Sequence, residues 1–207
     1  MSTQVSLRCR CGKLRGVATE MSPSSTNRLV CYCASCQAFA RFLERDDVMD
    51  AAGGTDIVHM APARLRITEG ESLLRSMRLS SKGLLRWYTD CCRTPVGNTI
   101  NARMPFVGLV HSCMDLDAPT RDEVLGKPRA FIHGKDAIGG VPDHAHATVS
   151  LGVLARIVRL LAGWSITGKG APSPFFESKS GAPRVAPRVL SVAERDALRP
   201  QSASPAS

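Results

Sequence analysis

Seven of the eight cysteines fall into three tight groups, so thiolate chemistry is the first property that the sequence suggests. Thiolate sulfur is a preferred ligand of zinc, which takes four ligands in a tetrahedron. In a chain without an export signal, grouped cysteines are better metal ligands than disulfide partners. We therefore predict that zinc is the cofactor and that its ligands come from Cys9, Cys11, Cys31, Cys33, Cys36, Cys91 and Cys92.

The spacing within each group predicts how its sulfurs can meet. Side chains two apart in an extended segment share a face, so Cys9 and Cys11 can hold one ion together. The middle group, residues 31–36, can converge from one short loop and leave a fourth metal position open. Cys91 and Cys92 precede Pro95 in a predicted turn, and at least one of them is expected to join Cys9 and Cys11. Whether that ligand is Cys91 or Cys92, and whether the chain holds one or two zinc ions, stays open.

Three other interpretations limit the set of metal ligands. The grouped cysteines can instead be buried reduced residues without a metal, because cysteine is a common small core residue. Cys113 stands alone and is predicted to be a core residue rather than a ligand. His144 and His146 have ligand-like spacing, but they follow Pro142 and are predicted to lie in a surface loop.

Composition predicts a protein of the cytoplasm without a membrane partner. The 207 residues are 43% hydrophobic, and the first residues contain no apolar run of signal-peptide length. The most apolar stretch, residues 149–164, is interrupted by Arg156 and Arg159 and is shorter than the roughly 20 residues that a membrane span requires. The net charge of +9 includes no run of lysine or arginine, which disfavours nucleic acid as a partner. The oligomeric state stays open.

Hydrophobic periodicity predicts a mainly β fold of packed, antiparallel, twisted sheets with zinc-binding knuckles, followed by a C-terminal helix and a disordered tail. Short alternating segments separated by glycine-containing turns predict strands near residues 64–67, 73–80, 84–88 and 106–112. A helix is predicted over 148–164, with Leu151, Leu154, Val158 and Leu161 packed on the domain or on a partner. We therefore divide the chain into a zinc-binding β domain (1–147), the helix (148–168) and a Pro/Ser/Ala-rich extension (169–207) that is disordered over 201–207.

The cysteine motifs resemble those of the glutathione-dependent formaldehyde-activating enzymes and their centromere protein V relatives. That family pairs Cys-x-Cys-Gly with a later Cys-x-Cys-x-x-Cys and ends its core with an aromatic-rich Cys-x-x-Cys-Gly-Thr. Here the first two motifs are residues 9–12 and 31–36, and the third corresponds to residues 87–95. Thr89 stands at the first cysteine of the last motif, Arg93 at its glycine, and Tyr32 at a histidine common in the middle motif. The chain thus resembles a divergent, bacterial-looking branch of the family.

The resemblance implies a fold, a metal content and an activity. Packed twisted β-sheets would hold a structural zinc on Cys9, Cys11 and Cys92, and active members carry a second, catalytic zinc that matches Cys31, Cys33 and Cys36. The implied reaction is carbon–sulfur lyase chemistry on a small thiol adduct such as S-hydroxymethylglutathione. The alternative is a non-catalytic zinc module that binds a protein or nucleic-acid partner. The two differ in the middle cysteine group, which an enzyme requires to be open to a cavity.

Overall fold

The computed structural model describes residues 3–198, and these form two β-sheets with four α-helices. The predicted tail at 201–207 lies outside the described residues. The strands are β1 Thr3–Arg8, β2 Arg15–Met21, β3 Asn27–Cys31, β4 Thr55–Met60, β5 Leu65–Glu69, β6 Leu74–Arg78, β7 Leu85–Thr89, β8 Pro95–Thr99, β9 Val107–Val110, β10 Phe131–Ile132 and β11 Arg188–Val189. The helices are α1 Ala34–Phe42, α2 Ala118–Leu125, α3 Leu151–Ile166 and α4 Val192–Ala197.

The strands form a small sheet and a large one. The small sheet has three antiparallel strands in the order β1-β2-β5, and the large sheet has eight in the order β10-β3-β4-β9-β8-β7-β6-β11. Neighbours in the large sheet are antiparallel except at its two edges, where β10 pairs with β3 and β11 with β6 in parallel. The predicted mainly β fold class, with a helix in the C-terminal part, is confirmed, and the parallel edge strands are an addition to it.

The main core lies between the two sheets. Val5 and Leu7 of β1 pack in one buried cluster with Val58, Trp87 and other residues of the large sheet. Part of the extension joins this core, because Phe175 is completely buried and its ring stacks on Trp87 with 4.7 Å between ring centroids. The segment after α3 therefore contributes to the core that the first half of the chain builds.

The opposite face of the large sheet is also covered, which changes how its strands are patterned. Phe39 of α1 packs there with Met77 of β6, and β8 is buried along its whole length. A strand that is covered on both faces loses the polar–apolar alternation of a half-exposed strand. For this reason even the polar Ser76 of β6 is buried, and it donates a hydrogen bond to the Val185 carbonyl.

Helix α3 exists where the periodicity predicted it, but of the four side chains expected to pack on the domain or on a partner only Leu161 is partly buried. The partly or fully buried side chains of the helix are Val153, Arg156, Ile157, Leu160, Leu161 and Trp164, and of these only Trp164 is fully buried. Leu151, Leu154 and Val158 are exposed. The helix is apolar on almost every side, so sequence periodicity could not distinguish the face that packs from the face that does not.

No helix among residues 3–198 combines the length and the apolar character that crossing a lipid bilayer requires.

Candidate metal centres

The seven grouped cysteines form two sets of sulfur atoms, each close enough to share a metal ion. Within each set all the sulfurs lie within 4.8 Å of one another. The first set, which we call the four-cysteine group, contains Cys9, Cys11, Cys91 and Cys92. The second, the three-cysteine group, contains Cys31, Cys33 and Cys36.

Two turns from distant parts of the chain build the four-cysteine group. The first follows β1, where Gly12 adopts a φ of 77° and donates its N–H to the Cys9 carbonyl, while the N–H of Leu14 points at the Cys9 sulfur over 3.2 Å. The second joins β7 to β8 and carries Cys91 and Cys92. The N–H of Arg10 donates to the Thr94 hydroxyl over 3.0 Å and ties the turns together.

Both adjacent cysteines of the second turn reach the group, a question that the sequence left open. The Cys91 sulfur lies 3.4 Å from that of Cys11 and 3.8 Å from that of Cys92. The bend that permits this passes through Arg93, whose φ of 53° is left-handed. Glycine adopts this conformation most easily, so the left-handed Arg93 is a specific feature of this turn.

Threonine hydroxyls surround the Cys92 sulfur. Although partial burial opposes ionisation, the Thr89 and Thr94 hydroxyls hydrogen-bond to this sulfur and help lower the pKa of Cys92 to about 5. The Thr89 hydroxyl lies 3.5 Å from the Cys92 sulfur. Cys91, two residues later, supplies the fourth sulfur of the group.

The three-cysteine group lies at the end of β3 and the start of α1. Cys31 ends β3 between β4 and β10, where it is in register with Thr55 and Ile132. Cys33 is the N-cap residue of α1, and Cys36 lies in its first turn. The positive end of a helix dipole favours thiolates at these two positions.

Charge and hydrogen bonding favour a thiolate in the three-cysteine group. The pKa of the Cys36 thiol lies well below its usual range, because the Cys31 and Cys33 thiols hydrogen-bond to it and the Arg86 guanidinium adds an attractive charge. The pKa of Cys31 is raised, since its thiol hydrogen-bonds to Cys33 and Cys36. One sulfur of the group can therefore carry a negative charge even before a metal is bound.

A cavity of about 540 Å³ opens beside this group. All three cysteines line it, together with Arg86. Arg86 is buried, donates to the Asn98 side-chain oxygen over 3.1 Å, and lies over the ring of Phe39. Lys82 also lines the cavity, so its wall carries two cationic side chains.

Sequence reasoning missed two histidines that line the same cavity. His133 follows β10 with a left-handed φ of 58°, and His59 projects from β4. Neither lies within a cysteine motif. They reach the cavity only because β10 and β4 flank β3, an arrangement that no local pattern reveals.

A chain of hydrogen bonds from α3 fixes the protonation of His59. Arg156 donates to the Asn27 side-chain oxygen over 3.2 Å, so the Asn27 amide nitrogen donates to Nδ1 of His59. Nδ1 therefore carries no proton, and the neutral ring holds its proton on Nε2. Desolvation lowers the pKa of His59 to about 4, which keeps the ring neutral at physiological pH.

The remaining candidates lie away from both groups. His144 and His146 are exposed and belong to neither group, although His144 lies 3.4 Å from the Tyr32 hydroxyl. Cys113 is buried in the core, where desolvation raises its pKa to about 12 and its thiol donates to the Val110 carbonyl.

Comparison with known proteins assigns the chain to a family. A family model described as a family of unknown function (DUF6151) matches residues 1–186. The chain belongs to this family. The match covers both cysteine groups, the cavity and α3. No curated protein matches the chain.

Proposed function

We propose that this protein binds zinc and acts as a carbon–sulfur lyase-like enzyme on a small thiol adduct such as S-hydroxymethylglutathione. One observation carries the proposal: three sulfurs within 4.8 Å of one another line a cavity large enough for a small ligand. A structural zinc site is closed by four protein ligands, whereas a catalytic site keeps a position open. The three-cysteine group and its cavity are consistent with the second kind.

Sulfur geometry supports zinc as the metal of the four-cysteine group. With a zinc–sulfur bond of about 2.3 Å, the sulfurs of a regular tetrahedron lie about 3.8 Å apart. The distances from Cys9 to Cys11, Cys9 to Cys91 and Cys11 to Cys91 are 3.5, 3.8 and 3.4 Å. A ligand set composed only of thiolates suits zinc better than magnesium or calcium, which prefer oxygen.

The proposed reaction needs no external oxidant or reductant. In the forward direction a carbon–sulfur bond forms between the thiol sulfur and the formaldehyde carbon, and the thiol proton passes to the carbonyl oxygen. The reverse direction breaks the same bond and returns the proton. A zinc ion on Cys31, Cys33 and Cys36 would lower the pKa of a substrate thiol and so favour its nucleophilic form.

The other cavity residues have chemistry that suits such a substrate. Lys82 and Arg86 offer positive charge to a carboxylate, and a guanidinium can bind a carboxylate through two hydrogen bonds. His59, with its proton held on Nε2, offers a neutral donor to a carbonyl or hydroxyl oxygen. The resemblance of the two N-terminal motifs to those of the formaldehyde-activating enzymes supports the same substrate class.

The test measures binding and turnover at the three-cysteine group. Zinc-loaded protein is titrated calorimetrically with glutathione, and exchange between formaldehyde, glutathione and their adduct is followed by NMR. We expect wild-type protein to bind the thiol and to accelerate exchange, and Cys33→Ser to lose both. Cys113→Ala is the matched control, because it removes a buried thiol outside both groups.

Three results would count against the proposal. They are zinc-loaded wild-type protein that neither binds the thiol nor accelerates exchange, Cys33→Ser that retains both, or purified protein that contains no zinc. Thiol binding without exchange would support only a binding role. Zinc content without thiol binding would favour the alternative of a non-catalytic zinc module with a macromolecular partner.

A further inference from the structure

The outward face of α3 is an apolar surface that no described residue covers. Leu151 and Ile166 are 84% and 85% exposed, and Leu154 and Val158 are 50% and 57% exposed. In an α-helix, residues three, four and seven apart lie on the same face. Ala155 and Ala162 lie on this face too and are exposed. The apolar surface extends along a helix of 16 residues, a length of about 24 Å.

Specific contacts fix the helix in this orientation. Arg156 points to the domain and donates hydrogen bonds to Asn27 and to the carbonyls of Pro23 and Thr26. Trp164, two turns later, is 5% exposed. With these inward contacts made, the face that carries Leu151, Val158 and Ile166 is directed away from the domain.

Two exposed arginines without acidic partners, Arg129 and Arg159, lie along one flank of this surface, beside the inward-pointing Arg156. The like charges of Arg129 and Arg159 are close enough to Arg156 to contribute, after desolvation, to lowering its pKa. Arg129 and Arg156 donate to backbone carbonyls and an amide oxygen, which carry no charge. Among residues 3–198, no carboxylate lies within ion-pair distance of any of the three arginines, and α3 itself contains no acidic residue.

We propose that the outward face of α3, with its arginine flank, binds the surface of an anionic lipid membrane. Helices that lie in the membrane interface combine exposed apolar side chains with cationic residues, and they bind more tightly to anionic lipid. The sequence predicted no membrane partner because the apolar stretch is interrupted by Arg156 and Arg159 and is too short to span a bilayer. The structure leaves Leu151, Leu154 and Val158 of this stretch exposed.

A second copy of the chain is a less favourable occupant. The midpoint of Leu151–Ile166 falls between residues 158 and 159, so α3 helices paired around a two-fold axis would bring Arg159 close to its counterpart. Like charges in contact oppose such pairing, whereas anionic headgroups neutralise them.

The test uses flotation of the full chain with lipid vesicles. One set is phosphatidylcholine, and the other is phosphatidylcholine with phosphatidylglycerol at roughly 3:1, since anionic lipid supplies the surface potential. We expect binding to the anionic vesicles only, with a loss when NaCl is raised. Arg159→Gln should weaken binding by about fivefold, the effect of one cation near such a surface.

Variants on and off this surface distinguish binding by the outward face of α3 from non-specific adsorption to lipid. Leu151→Ser with Val158→Ser should abolish flotation without changing the thermal midpoint, because both side chains are already exposed. The matched controls are Val192→Ser on α4 and Arg103→Gln, exposed positions outside α3 that should leave binding unchanged. The proposal is overturned if wild type binds neither vesicle, if it binds both equally, or if the double variant binds as wild type does. A wild-type dimer that Val158→Ser dissociates would assign the surface to a second copy.

Discussion

The two cysteine groups use the same ligand atom in different structural settings. The four-cysteine group joins turns that are 80 or more residues apart in the chain, and its four sulfurs make a complete ligand set. The three-cysteine group comes from one segment of six residues and faces a cavity. A metal ion in the first would connect distant segments, whereas an ion in the second would connect none. On the proposed function, the first group would serve folding and the second would serve chemistry.

The largest expected effect is that of Cys11→Ser. Structural zinc contributes roughly 10–16 kcal/mol of apparent binding free energy in small domains. The net stability of a domain is about 5–15 kcal/mol. We therefore expect Cys11→Ser to give insoluble or unfolded protein, measured by the soluble fraction and by circular dichroism. A soluble variant with an unchanged melting temperature would mean that the four-cysteine group, like the three-cysteine group, is not needed for folding.

Cys33→Ser should have the opposite effect, a loss of metal without a loss of the fold. Because the three-cysteine group joins no distant segments, we expect the variant to remain folded and to lose the metal of that group alone. Elemental analysis should then show one zinc ion fewer per chain than wild type. Unfolding as severe as that of Cys11→Ser would assign a structural role to both groups.

Arg86→Met should produce a smaller change at the three-cysteine group. The variant removes the guanidinium that lowers the pKa of Cys36 but keeps a side chain of comparable bulk. A residue that supports a metal ligand typically changes metal affinity by about 10–100-fold. We expect a loss of that size in chelator competition at the three-cysteine group, with the four-cysteine group unchanged. Arg93→Met is the control, since Arg93 lies beside the other group and pairs with the exposed Glu44.

The smallest expected effect is the pH dependence of the unfolding free energy that His59, in the cavity wall, causes. The pKa of His59 is lowered to about 4 by desolvation, so the unfolded chain binds its proton first as pH falls. The stability that neutral His59 preserves is therefore fully present above about pH 6.5 and is lost progressively as pH falls toward 4. At pH 5.5 the loss is about 1–2 kcal/mol relative to neutral pH.

His59→Asn isolates this contribution, because asparagine cannot titrate. Denaturant unfolding at several pH values should show a shallower loss of stability for the variant than for wild type. Protonation of the metal ligands affects both proteins alike and cancels in the difference. Identical pH profiles would mean that His59 is not desolvated in the cavity wall.

Local spacing was enough to identify the cysteines that the structure gathers into two groups. Each cysteine motif lies in a single turn or loop, so its geometry follows from a few neighbouring residues. The mainly β class and the helix near residue 150 are likewise visible as local hydrophobic periodicity, and both are confirmed.

Only the tertiary structure decided what depends on contacts between distant segments. It brings Cys91 and Cys92 to Cys9 and Cys11, because the two turns are tied by the hydrogen bond from Arg10 to Thr94, 84 residues along the chain. It places His59 and His133 at the cavity, because β4 and β10 both pair with β3. It also turns α3 so that Leu151 faces outward. A helix that is apolar on nearly all sides does not encode its own orientation, and here Arg156 and Trp164 set it through their contacts with the domain.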